Sequence, residues 1–150
     1  MRSLPALFLS LILATPVLAG GEGMIHIKSS HSVKQTADRL ESALREKGMT
    51  VFARIDHARG AEEVGKALRP TELIIFGNPK VGTPLMQAAR TVGIDLPQKA
   101  LIWQDDTGQV WLSYNDPAYL EKRHGITGRD KIIDKIAKVL AMFAKKATLP

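Results

Sequence analysis

From Met24 to Phe143 the chain alternates short apolar runs with longer stretches whose apolar residues recur every three or four positions. Met24 to Lys28 alternates with period two and predicts a strand. Ser32 and Gln35 then stand in capping-box spacing, and Val33, Ala37, Leu40 and Leu44 repeat along one helical face. Asp38, Arg39, Glu41, Arg45 and Glu46 take the other face, and Gly48 ends the helix. Thr50 to Asp56 predicts a second strand with Val51, Ala53 and Ile55 on one side. Ala61 to Leu68 is weakly helical and closes at Pro70. The continuous run Leu73-Ile74-Ile75-Phe76 predicts a strand covered on both faces. Thr83-Pro84 reads as a hydroxyl cap with proline at the first helical position, ahead of the stripe Leu85, Met86, Ala89 and Val92. Two further strands, Ala100 to Gln104 and Gln109 to Tyr114, flank the turn Asp105-Asp106-Thr107-Gly108 and carry both tryptophans, Trp103 and Trp111. Residues 115–128 read as a loop. A closing helix starts at Thr127 and Asp130 in capping spacing and carries Ile132, Ile133, Ile136, Val139, Leu140 and Phe143 on one face. This order predicts one α+β domain with helices packed on a sheet of about five strands.

The segment before Met24 follows a different pattern. Arg2 is a short basic start, Leu4 to Ala14 an apolar run, and Val17-Leu18-Ala19 a small-residue cleavage signal, so residues 1–19 read as a secretory signal peptide. Pro5, Ser10, Thr15 and Pro16 interrupt the run, which argues against a membrane-spanning anchor. No cysteine follows Ala19 to take a lipid. The expectation is a periplasmic or secreted domain of residues 20–150 with no membrane anchor. The absence of cysteine excludes a thiol oxidoreductase and a thiolate metal site. Export removes the steady supply of ATP or NADH, so no cofactor is expected. The formal net charge is +6, densest in the last third, where Lys122, Arg123, Arg129, Lys131, Lys135 and Lys138 lie. No aromatic residues interleave with them, which argues against nucleic acid.

Candidate chemistry is sparse. Gly77 to Pro84 runs from a buried strand through a glycine-containing loop into a helix start, a geometry suited to an anion, with Lys80 as a mobile positive charge. It is not a Walker loop, because the lysine precedes the second glycine. The same residues also suit a capped turn in which Gly77 and Gly82 satisfy special backbone angles. Asp56-His57 ends the second strand and is a candidate acid/base pair, although neighbouring strand residues point to opposite faces. His124, with Asp116 and Glu121 near it in sequence, completes such a site only if the fold brings it to His57. His26, His31 and the methionines lack metal-ligand spacing, and Ser113 has no nucleophile elbow around it.

Four segments carry a family resemblance: Phe52-Ala-Arg-Ile-Asp-His57; Ile75 to Lys80 with Gly82-Thr-Pro-Leu-Met86; Asp95-Leu-Pro97; and Val110 to Pro117. In order and spacing they resemble the domain of unknown function 302 family over Met24 to Phe143. The resemblance implies a fold of the TATA-binding-protein-like class, a curved, mainly antiparallel sheet with helices on one face, and implies no settled activity. Its polar residues lie at strand ends, so Asn78, Lys80, Thr83, Tyr114, Asn115 and Asp116 are ligand-binding candidates and Asp56 and His57 catalytic ones. The alternative is that these residues lock turns. The reading that follows is an exported binding or accessory domain for a small polar or anionic ligand or a protein partner. Two alternatives stand beside it: a small enzyme using His57 with Asp56 or Asp116, and a homodimer formed through a sheet edge or the tryptophan hairpin.

Overall fold

The computed structural model describes residues 17–20 and 23–150. The expected leader falls largely outside them. Six strands form one antiparallel sheet in the order β1-β2-β6-β5-β4-β3: β1 (Val17–Gly20), β2 (Met24–Ser29), β3 (Thr50–Asp56), β4 (Thr71–Gly77), β5 (Gln98–Gln104) and β6 (Val110–Asn115). The four-residue β1 sits at the edge against β2, which makes one strand more than the pattern predicts. Two long helices, α1 (Val33–Glu46) and α5 (Asp130–Thr148), lie against each other on one face of the sheet.

Helix α1 forms as its sequence dictates. The Ser32 side chain accepts from the Gln35 backbone N–H, the Gln35 side chain accepts from the Ser32 backbone N–H, and the capping box closes. Its stripe, Val33, Ala37, Leu40 and Leu44, is buried. It meets Ile74 and Phe76 of β4, Ala100 and Ile102 of β5, and Val110, Leu112 and Tyr114 of β6 in one core with Ile133, Ile136, Leu140 and Phe143 of α5. The Phe76 and Phe143 rings cross edge to face at 6.5 Å. Arg54 of β3 ties α1 to the sheet, donating to Asp38 of α1 and Glu72 of β4, each at 2.6 Å. At the other end of α5, Arg39 and His31 both bond the Leu149 carbonyl, serving acceptors that the helix itself leaves open.

Strand register places the opposite set of residues on the face turned away from α1 and α5. Ile55 pairs with Leu73, Leu73 with Leu101, Leu101 with Ser113 and Ser113 with His26. Leu73 and Ile75 on this face are half-buried whereas Ile74 and Phe76 on the core face are buried, so the two sides of β4 are covered unequally. Trp103 and Trp111 pair across β5 and β6 on this same face, half-buried and buried respectively, their rings stacked at 6.4 Å. The Asp105 carboxylate closes the turn between them by accepting from the Thr107 and Gln109 backbone N–H groups, and Gly108 supplies the positive φ of 88°.

Three elements depart from the pattern. The weak helix expected at 61–68 is α2 (His57–Glu63), beginning directly after β3 with Asp56 as its cap. The helix expected at Thr83 begins five residues earlier as α3 (Pro79–Ala88), capped by Asn78, with Pro84 in its interior. The predicted loop 115–128 contains α4 (Pro117–His124), capped by Asp116 and ended by Gly125 at φ 60°. The start of α5 also differs, since Arg129 stands at the cap position with no side-chain bond. Helix α3 continues through a short 3-10 turn, Arg90–Ile94, into the loop before β5.

Candidate functional site

At one end of the sheet β4 finishes at Gly77 and β5 begins at Gln98, and between these strand ends, α3 and α5 lies a pocket of about 320 Å³. Phe76, Leu85, Ile136, Leu140 and Phe143 form its floor, all of them buried core residues. Met86, Val81, Leu96 and Pro97 form walls, with Met49 and Phe52 at the β3 side. A pocket in this size range with apolar walls and a few polar groups is the usual form of a small-molecule site. Here the polar side chains in the lining are Asn78, Thr83, Gln98 and Lys135.

Phe52 reaches this site through a backbone irregularity. Val51 pairs with Phe76 and Ala53 with Ile75, so Phe52 is the extra residue of a β-bulge. A bulge turns one side chain away from the strand's alternation. The Phe52 ring comes close to Gly77 and is 55% exposed, an uncovered aromatic ring at the pocket rim. Gly77 is small for a local reason: a Cβ there would stand 3.3 Å from Pro97 Cβ and 3.5 Å from Phe52 Cε2.

The helix start beside the pocket is satisfied from within. Pro79 has no N–H, the Lys80 N–H goes to Asn78 Oδ1 at 2.9 Å, and the Val81 and Gly82 N–H groups go to the Asn78 carbonyl. No first-turn donor is left aimed outward, which removes the basis for an anion cradle at Thr83. Gly82 lies inside α3 and is not among the glycines of positive φ, so it fills no special backbone angle.

The candidates from sequence separate into three places. Asn78 and Thr83 line the pocket, and Lys80, although adjacent in sequence, is exposed outside its lining. Tyr114, Asn115 and Asp116 lie at the same end of the sheet but outside the pocket. Tyr114 is buried in the core, where burial, and then the nearby Asp116 carboxylate, push its phenol up. Asn115 ends β6 opposite Met24, and Asp116 caps α4 by accepting from the Ala118 N–H. Asp56 and His57 lie at the far end. Asp56 pairs with Glu72 while Gly77 pairs with Thr50, a separation of about 20 Å at the usual strand rise. Asp56 Oδ1 accepts from the Arg59 N–H, and His57 is exposed. A pairing of His57 with Asp116 or His124 is therefore excluded by geometry. His124 instead bonds Asp95 at 2.6 Å and Thr91 at 3.0 Å.

The sequence pattern of the family described as "Domain of unknown function DUF302" matches residues 25–143. The chain belongs to this family. A crystal structure of an uncharacterized conserved DUF302 protein from Bacillus stearothermophilus superposes with a TM-score of 0.75 at 21% identity, covering 85% of this chain and 99% of that one. That likeness carries the fold. Among curated proteins the DUF302 domain is 53% identical over 104 residues to the fluoride-specific ion channel FluC 1 of Brucella suis biovar 1, matching 69% of this chain and 41% of that protein. The same identity holds for FluC 1 of Brucella abortus biovar 1, of which 38% is matched. The chain thus spans about two fifths of the length of these relatives.

Phe52, Gln98 and Lys135 line the pocket of this DUF302 domain without being candidates on sequence grounds. Phe52 depends on a bulge that no local pattern announces. Lys135 was visible only as one member of the basic last third, although its place one residue before Ile136 and four before Val139 sets it beside the apolar stripe of α5. Among the described residues no group of three or more His, Asp or Glu side chains is placed to hold a metal ion.

Proposed function

We propose that this DUF302 domain is an exported binding module that receives a small, mainly apolar molecule in the pocket between α3, α5 and the ends of β4 and β5. The observation that carries the reading is the pocket itself, about 320 Å³ with walls of Phe, Leu, Met, Ile and Val. Apolar surface of this kind gains by transferring apolar ligand surface out of water, and the few polar groups at the rim orient what enters. The composition argues against the polar or anionic ligand expected from the Gly77–Pro84 loop, whose backbone donors are already bonded. Export rests on the leader pattern of residues 1–19.

Relatives in which a similar region makes up about two fifths of a protein named as a fluoride-specific ion channel support an accessory role beside membrane transport. In that role the domain senses or delivers a ligand and does not hold the halide, because a bare anion needs donors or cations around it and these walls supply few. The test is a small-molecule screen on the mature protein labelled with methyl-13C methionine. Met49 and Met86 line the pocket, whereas Met24 and Met142 lie outside its lining. Binders are expected to shift the first pair and leave the second. A screen of apolar fragments and medium-chain acids that moves neither Met49 nor Met86 overturns the proposal.

A further inference from the structure

Of the nineteen described residues lining the pocket, one is charged, and it is Lys135. It projects from α5 one residue before the floor residue Ile136, is exposed, and forms no ion pair among the described residues. Two other lysines of α1 and α5 are paired: Lys146 is bonded to Glu46 and Lys34 to Asp38, both at 2.8 Å. The other polar lining groups are two neutral amides, Asn78 and Gln98, and the hydroxyl of Thr83. Among the described residues no acidic side chain lines the pocket.

We infer that the pocket takes an amphipathic monocarboxylate, an apolar chain or ring that fills the cavity with its carboxylate at the mouth beside Lys135. This rests on the pocket reading above and adds the charge of the ligand. The apolar body enters because the floor and walls offer only hydrocarbon and thioether surface. The carboxylate remains at the rim, where it keeps part of its hydration and meets a cation that has no competing acid. Burying the carboxylate deeper would cost far more than the cavity returns, so the single lysine at the mouth fixes the direction of entry. A dicarboxylate or a phosphate ester with a polar body does not fit this lining, since its second charged group would face Phe76, Leu140 and Phe143.

Octanoate and octanamide, alike in shape and different in charge, separate the two claims. Each is titrated into wild type, Lys135→Gln and Lys138→Gln while the methionine methyl resonances are followed. Lys138 is an exposed lysine of the same helix outside the pocket lining. Lys135→Gln is expected to weaken octanoate about two- to fivefold, the worth of a solvent-exposed ion pair, and to leave octanamide unchanged. Lys138→Gln should change neither. If both ligands shift Met49 and Met86 and Lys135→Gln weakens them equally or not at all, the carboxylate inference falls while the pocket reading stands. If neither ligand moves those methyls, both fall.

Discussion

His124 Nε2 lies 2.6 Å from Asp95 Oδ2, and through this bond α4 holds the loop that makes one wall of the pocket. The side chains are 5% and 12% exposed, and Arg123 reaches the second Asp95 oxygen at 3.4 Å. Leu96 and Pro97, next in sequence, face the cavity. His124→Ala leaves a largely buried carboxylate with a weaker set of partners, so it is expected to cost about 1 to 2 kcal/mol in urea denaturation. It should also weaken any pocket ligand, whereas Arg123→Ala, removing a longer and more exposed contact, should be near neutral.

Two glycine substitutions should differ in sign. Gly82→Ala places a methyl 3.6 Å from Leu96 Cδ1, an ordinary contact, within a helix and at no unusual φ. It is expected to stabilise the fold by up to about 1 kcal/mol through helix propensity, while narrowing the pocket and weakening ligands. Gly23→Ala meets the Tyr119 ring head-on at a φ of 92°, and should lower the thermal midpoint markedly. Equal thermal shifts for the two variants would contradict this assignment.

The hairpin turn carries a pH dependence. Hydrogen bonds from the Trp111 indole N–H and then the Thr107 hydroxyl hold the Asp105 carboxyl down at about 2. A carboxyl depressed in the folded state adds stability above its unfolded value of about 4, and that contribution is lost as pH falls toward 2. Asp105→Asn should therefore flatten the fall in urea midpoint between pH 5 and pH 2.5. The Trp111 indole N–H resonance of the wild type should shift over the same interval.

Export predicts Gly20 as the mature N-terminus, which terminal sequencing of the secreted form reads directly. Cleavage there removes Val17 to Ala19, three of the four residues of β1. Amides on the outer edge of β2 should then exchange with solvent faster in the mature protein than in an uncleaved precursor.

How much of this was legible in the chain is best seen at its three cap-proline pairs: Asn78-Pro79, Thr83-Pro84 and Asp116-Pro117. All carry the same local signal, a side-chain acceptor followed by a residue that needs no N–H partner. The sequence pattern predicts a helix start at Thr83 and offers Asn78 and Asp116 as ligand-binding or turn-locking residues. The fold uses the other two, because starting at Pro79 carries the chain directly from the end of β4 into a ten-residue helix, and starting at Pro117 does the same after β6. A local signal repeated within five residues cannot say which copy tertiary packing will favour. Where the signal was unique and periodic, as in the Ser32–Gln35 box and the stripes of α1 and α5, pattern and structure agree. The pocket joins residues from β3, β4, α3, β5 and α5, so only the Gly77–Met86 share of it lay in one readable stretch.

The stacked pair of Trp103 and Trp111 has an optical consequence. They are the chain's two tryptophans, their ring planes are 24° apart, and neither lines the pocket. Two indoles held so closely couple their strong transitions, so far-ultraviolet circular dichroism should carry an exciton signal from this hairpin alone. A one-residue slip between β5 and β6 would send the rings to opposite faces and abolish it. The domain thus contains an intrinsic spectroscopic gauge of sheet register that stays silent when the cavity fills.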